Sequence, residues 1–224
     1  MNNVVELRQY TLKPGMRESL ISLFDREFLE SQEACGCDVI GQFRDLDVAD
    51  RFVWLRGFAD MTTRGQALAA FYDGPVWKAH REAANATMLD SDNVLLLRPA
   101  RPYAGFDLNA QRPPLGQAAQ GVLTATICRF KQKIEEPTIA EVERNILPKL
   151  EDSGDAVLAW FATEYASNNF PRLPVREAEN VVVWFARRMA AAPPLPAEFL
   201  SSLLEYPLTL RLSPTPRSKL RVSR

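Results

Sequence analysis

His80 is the single histidine in the chain, and it stands beside Trp77, Lys78 and Arg81. Imidazole is the one side chain whose ordinary pKa lies near neutrality, so His80 is the candidate proton carrier and the one catalytic candidate. The competing reading is a packed, hydrogen-bonded histidine on a helix. Trp77 and Trp54 offer flat faces on which a ring could stack, although tryptophans more often serve cores. Lys78 and Arg81 carry charge suited to a carboxylate or phosphate, but at this spacing they read first as a solvated helix face.

A second set of chemically capable residues lies on alternating strands. Residues 4–12 alternate with period two, and so do 39–44 and 51–58. One face is apolar: Val5, Leu7, Val39, Phe43, Val53 and Leu55. The other is mixed: Glu6, Arg8, Tyr10, Gln42, Arg44, Phe52, Trp54 and Arg56. Charged groups on a covered face need partners, and Glu6 with Arg8 or Arg56 would supply them.

Other chemistries are missing from the sequence. One histidine cannot furnish a His-rich metal set, so no metal is expected. No GxGxxG or Walker-type loop is present, no GxSxG context supports a serine nucleophile, and no cofactor is expected. Cys35, Cys37 and Cys128 include a Cys-x-Cys pair too close for an ordinary bridge, which fits reduced thiols. The formal net charge of −1 creates no field for nucleic acid. No run approaches the ~18 apolar residues of a spanning helix, and the start resembles neither a secretory nor a mitochondrial leader. A cytoplasmic protein without membrane insertion is expected.

The positioning elements recur in one order. The first strand is followed by a helix over about 16–33, hairpin strands at 39–44 and 51–58, and a helix that Thr62 or Thr63 would cap. Next come an amphipathic run from Val76 to Met88, an acidic corner at Asp90, Ser91 and Asp92, and a strand over 94–98. This is β-α-β-β-α-β, the split βαβ unit. Residues 101–119, rich in proline and glycine, read as a surface linker. The order then returns over 120–213, with strands at 122–130, 156–163, 181–186 and 208–213 and helices at 139–150 and 195–204. The VVVWF run from Val181 echoes the FVWLRGF run from Phe52. The second copy lacks any counterpart of the WKAH…DSDN stretch, residues 77–93. Residues 214–224, with Arg217, Lys219, Arg221 and Arg224, read as a solvated basic tail.

The segments GPVWKAH (from Gly74), AANATM (from Ala83), DSDNVLLLRP (from Asp90) and VELRQYTLKPG (from Val5) resemble the NIPSNAP family over residues 4–99, and only weakly beyond. The resemblance implies an α+β fold: two ferredoxin-like β-α-β-β-α-β units, residues 1–100 and 120–213, forming a dimeric α+β barrel within one chain. The family implies no settled reaction. On this fold the apolar faces would carry the helices and the mixed faces would line a barrel cavity. Arg8, Tyr10, Trp54, Arg56 and Trp77 are then the ligand-binding candidates. The expected function is binding of a small apolar or aromatic molecule in that cavity, by a homo-oligomer, with cofactor-independent monooxygenase-like chemistry as its enzymatic form. The alternative is a non-enzymatic interaction or scaffold protein. Some related barrels bind haem, for which His80 would be the ligand. A pocket on the order of several hundred Å³ lined by Tyr10, Trp54 and His80 would favour the first reading, and a plugged cavity the second.

Overall fold

A computed structural model describes residues 2–108, 111–114, 121–187 and 193–222. Part of the expected linker, and Arg224, lie outside the described residues. The elements are β1 (Val4–Leu12), α1 (Arg17–Leu23), a π-helical turn (Phe24–Phe28), α2 (Leu29–Ala34), β2 (Asp38–Asp45), β3 (Arg51–Phe58), α3 (Met61–Tyr72), α4 (Pro75–Asn85) and β4 (Met88–Pro99). They continue as β5 (Leu123–Arg129), α5 (Glu136–Glu141), a second π-helical turn (Val142–Ile146), α6 (Leu147–Asp152), β6 (Ala156–Thr163), β7 (Val181–Arg187), α7 (Ala197–Ser201) and β8 (Leu208–Pro214).

All eight strands join one closed antiparallel barrel in the order β1-β3-β2-β8-β5-β7-β6-β4. The first-half strands stand as β4-β1-β3-β2 and the second-half strands as β8-β5-β7-β6, the same order advanced by four. The two halves meet along two short seams. Phe43, Arg44 and Asp45 pair with Pro214, Ser213 and Leu212, while Leu97, Arg98 and Pro99 pair with Thr163, Ala162 and Phe161.

Which strand face turns inward is the reverse of the sequence expectation. The barrel interior is the apolar face: Val5, Leu7, Phe43, Val53 and Leu55 form one core with Leu95, Leu97, Leu123, Phe161, Val183, Phe185 and Leu212. The mixed face turns outward, and the helices cover it. Tyr10, Phe52 and Trp54 pack with Leu20, Phe24, Phe28 and Phe71. The physical reason is that the ring of eight strands is narrow enough for large apolar side chains to fill it completely. The interior therefore takes mainly residues without polar atoms, Gln9 opposite Val53 being a buried exception. Val39 was expected on the apolar face. A register shift between Val39 and Gly41 places it with the outer cluster and sends Ile40 inward instead.

Three further expectations change. The α3 cap is Asp60, whose carboxylate accepts from the Thr63 amide at 2.7 Å, in place of Thr62 or Thr63. β4 begins at Met88, so the acidic stretch is a bulged part of that strand, with Asp90 opposite Thr11. The tail is not solvated through 222. The Thr215 amide donates to the Gln42 carbonyl and the Leu220 amide to the Ile40 carbonyl, and Leu220 and Val222 are buried in the barrel core. The described part of the linker also reaches that core through Phe106, whose ring centroid lies 5.2 Å from Phe161 and 5.1 Å from Phe185.

Candidate functional site

The mixed face of β1 and β3 is the floor of a cleft roofed by α1–α4. Period-two alternation puts Glu6, Arg8 and Tyr10 on one side of β1. Antiparallel register sets them opposite Arg56, Trp54 and Phe52. The π-helical turn supplies Phe24 and Phe28, and such turns occur frequently at functional sites. α3 supplies Phe71 and Tyr72, and α4 supplies Trp77. The rings meet edge to face, with centroid separations of 4.8 Å for Phe24–Trp54, 5.9 Å for Tyr10–Trp54 and 4.8 Å for Tyr72–Trp77. Between them lies a cavity of about 30 Å³, also bordered by Leu20, Gln32, Ala84 and Met88. In this state it has room for a water or two. Tyr72, Trp77 and Met88 are only partly buried and mark its mouth.

Behind the aromatic floor lies a buried ionic cluster. Glu6 accepts from Arg8 Nη1 at 2.7 Å and Arg56 Nε at 2.8 Å on one oxygen, and from Arg64 Nε at 2.7 Å on the other. All four side chains are at most 1% exposed. Burial pushes the Glu6 carboxyl up, but the Arg56, Arg8 and Arg64 charges outweigh it and hold it far below the usual carboxylate range. Burial pulls the Arg64 guanidinium down, against the attraction of Glu6. The cluster reaches the cleft through three lining residues. Arg8 Nε donates to the Tyr10 hydroxyl at 2.9 Å, Arg56 Nη1 donates to Gln32 Oε1 at 3.0 Å, and both guanidinium carbons stand over Trp54, at 5.5 and 5.0 Å. Arg64 is held from the other half of the chain: its Nη1 donates to Asn168 Oδ1 at 3.1 Å and Asn169 Oδ1 at 2.7 Å.

Of the sequence candidates, Arg8, Tyr10, Trp54, Arg56 and Trp77 come together here. His80 stands apart. It is partly exposed on the side of α4 that faces the π-helical turn, where its Nε2 lies 3.5 Å from Glu27 Oε2 and its ring centroid 6.4 Å from that of Phe28. The cavity has no room for a haem, and His80 does not border it. Lys78 and Arg81 are exposed. Sequence reasoning missed Arg64, Gln32 and the two asparagines. Arg64 left a signal: it shares the buried stripe of α3 with Ala67, Leu68 and Phe71, where a charge demands a partner. The asparagines left none, because nothing local says where a long loop will land.

Among the described residues, the corresponding cleft of the second half has no such charge. There Thr124 stands opposite Ala186, Thr126 opposite Trp184 and Cys128 opposite Val182. Trp184 matches Trp54 in register, but Ile139, Val142, Ile146 and Leu150 pack into the same cluster. A space of about 80 Å³ beside Thr126 and Trp184 is bordered by no ionised residue. Among the described residues no cluster of three or more His, Cys, Asp or Glu could hold a metal, and no helix is long and apolar enough to cross a membrane.

Residues 5–102 match the NIPSNAP family model. This half of the chain is a NIPSNAP domain. It contains the whole cleft floor and all four ionic-cluster residues. Among solved structures, a NIPSNAP domain protein from Burkholderia xenovorans is 16% identical and covers 46% of this chain and 98% of its own, with a TM-score of 0.42. Two others span the full length. A candidate monooxygenase from Lactobacillus acidophilus NCFM is 11% identical over 99% of both chains, with a TM-score of 0.55. One from Fusobacterium nucleatum is 9% identical over 99% of this chain and 97% of its own, with a TM-score of 0.57. At these identities the likeness is one of fold. No curated protein matches the chain.

Proposed function

We propose that the NIPSNAP half binds a small aromatic molecule in the cleft between its sheet and helices. The observation that carries this reading is the aromatic floor and roof, Tyr10, Trp54, Phe24, Phe28 and Trp77, closing on a cavity backed by buried charge. The ligand displaces the half-buried Trp77 and Met88 to enter, since 30 Å³ does not admit a ring as the cleft stands. The site replaces the barrel cavity expected from sequence, because the barrel interior is filled. The repeated strand order supports reading the chain as two fused ferredoxin-like units forming a dimeric α+β barrel within one chain, the second having lost the charged floor. The fold shared with two candidate monooxygenases supports cofactor-independent oxygenation as the enzymatic form of the activity.

Native mass spectrometry of protein purified from its own host tests the reading. A co-purifying mass, lost in Trp54→Ala, is expected. Absence of any adduct, and no binding from a panel of aromatic compounds, would overturn it. The scaffold reading, favoured by the filled barrel and the small cleft, would then stand.

A further inference from the structure

The proposed ligand has a chemical class that the charges in the floor constrain. One carboxylate, Glu6, faces three guanidinium groups, Arg8, Arg56 and Arg64, all buried. Besides Tyr10, the titratable groups Tyr72 and Cys37 stand against the cluster, and both are neutral: burial pushes the Tyr72 phenol up and the Cys37 thiol up to about 11. The cluster therefore carries a surplus of two positive charges in a place where unpaired charge is costly. Arg56 Nη2 and Arg64 Nη2 are buried and have no acceptor.

The polar atoms bordering the cleft have a matching bias. The Tyr10 oxygen already accepts from Arg8 Nε, which turns its own O–H away from Arg8 and makes it the group that can donate to a ligand. Trp54 Nε1 is a buried donor without an acceptor. Gln32 has its oxygen engaged by Arg56 and its amide nitrogen donating to the Phe28 carbonyl at 3.0 Å. The cleft thus presents unused donors over a positive field, and its lining includes no carboxylate.

We infer that the cleft takes an aromatic molecule bearing an oxyanion, a carboxylate or an ionised acidic hydroxyl, whose oxygen accepts from Tyr10 while Arg8 and Arg56 supply the charge behind it. This rests on the aromatic-cleft reading and sharpens it. Tyr10 touches the ligand. Arg8 is a positioning residue that orients the phenol, so that its proton faces the cleft, and strengthens it as a donor. Of the two oxyanions, an ionised ring hydroxyl also makes the ring more readily oxidised, which agrees with the enzymatic form proposed above.

Benzoate and benzamide, nearly equal in shape and different in charge, separate the two claims. Their affinities for the full chain would be measured by calorimetry at pH 7. Benzoate is expected to bind at least tenfold more tightly, and Tyr10→Phe to reduce that preference several-fold. Equal binding of both compounds would overturn the oxyanion inference and leave the aromatic cleft intact. Failure of both to bind at millimolar concentration would overturn the cleft reading and the inference with it. The comparison in the unsubstituted chain decides the matter even if Tyr10→Phe does not fold.

Discussion

Arg8 Nε lies 2.9 Å from the Tyr10 hydroxyl, two residues along the same face of β1. The bond joins the ionic cluster to the cleft, because Tyr10 borders the cavity and Arg8 does not. Replacing Tyr10 by Phe keeps the ring and its edge contact with Trp54 but leaves a buried guanidinium N–H unpaired. The expected loss is about 1–3 kcal/mol, read by urea unfolding. A change within error would show that water takes over the bond.

Glu6 is the sole acid among three buried arginines, so its removal strands all of them. Glu6→Gln keeps the shape and is expected to cost about 3–5 kcal/mol, more than any single arginine-to-glutamine change in the cluster. Equilibrium denaturation of the four variants would show the order. A smaller cost for Glu6 than for the arginines would mean that the positive charges find other compensation.

Asn168 and Asn169 couple the loop between β6 and β7 to Arg64. Asn169→Ala should lower stability by about 1–2 kcal/mol. Combined with Arg64→Gln it should cost less than the sum of the two single changes, since the same bond is lost in each. Strict additivity would show that the loop rests against α3 without holding the arginine.

His80 gives the opposite expectation. Its ion pair with Glu27 spans 3.5 Å between two partly exposed side chains. His80→Ala should cost under about 1 kcal/mol and leave affinity for aromatic ligands unchanged. A large fall in affinity at unchanged stability would restore His80 to the site.

These outcomes show what the sequence made legible. Alternation on β1 and β3 placed Glu6, Arg8, Tyr10, Trp54 and Arg56 on one face, and the structure puts them there. The same alternation could not say which face looks inward. Both faces of a helix-covered barrel are buried, so polarity alone does not mark the outside. Here the helix-covered layer tolerates charge because Arg64 on α3 and Gln32 on α2 complete its hydrogen bonds. The inner layer, without such neighbours, is built mainly of apolar side chains from all eight strands, with Gln9 opposite Val53 a buried exception. His80 drew attention by its chemistry, but helical geometry placed it a step around α4 from Trp77, on the side facing Glu27. The charge of the tail does not mark it as solvated. Leu220 and Val222 enter the core between cations that bond outward, with Lys219 2.8 Å from Asp38.

Asp25, on the first π-helical turn, is 4% exposed, and its Oδ1 has no hydrogen-bond partner. Burial pushes its carboxyl up to about 6, only partly offset by Arg217, Arg112 and Arg44, whose charges face it, and by the Thr215 hydroxyl. Arg217 and Thr215 belong to the tail, so the tail closes over this acid. A carboxyl with a raised pKa binds its proton more tightly in the folded state than in the unfolded chain. Its contribution to stability is therefore present below the unfolded value of 3.8 and is lost as pH rises through about 6. At pH 7 the ionised, poorly solvated Asp25 is a cost. Asp25→Asn should be more stable than the parent by about 1–2 kcal/mol at pH 7. The gap should close toward pH 4, where the parent carboxyl is protonated in the folded state. Paired urea titrations of the two proteins across this range cancel the other carboxylates, whose titration is common to both. A gap that does not vary with pH would show that Asp25 is ionised normally, with water reaching it beneath the tail.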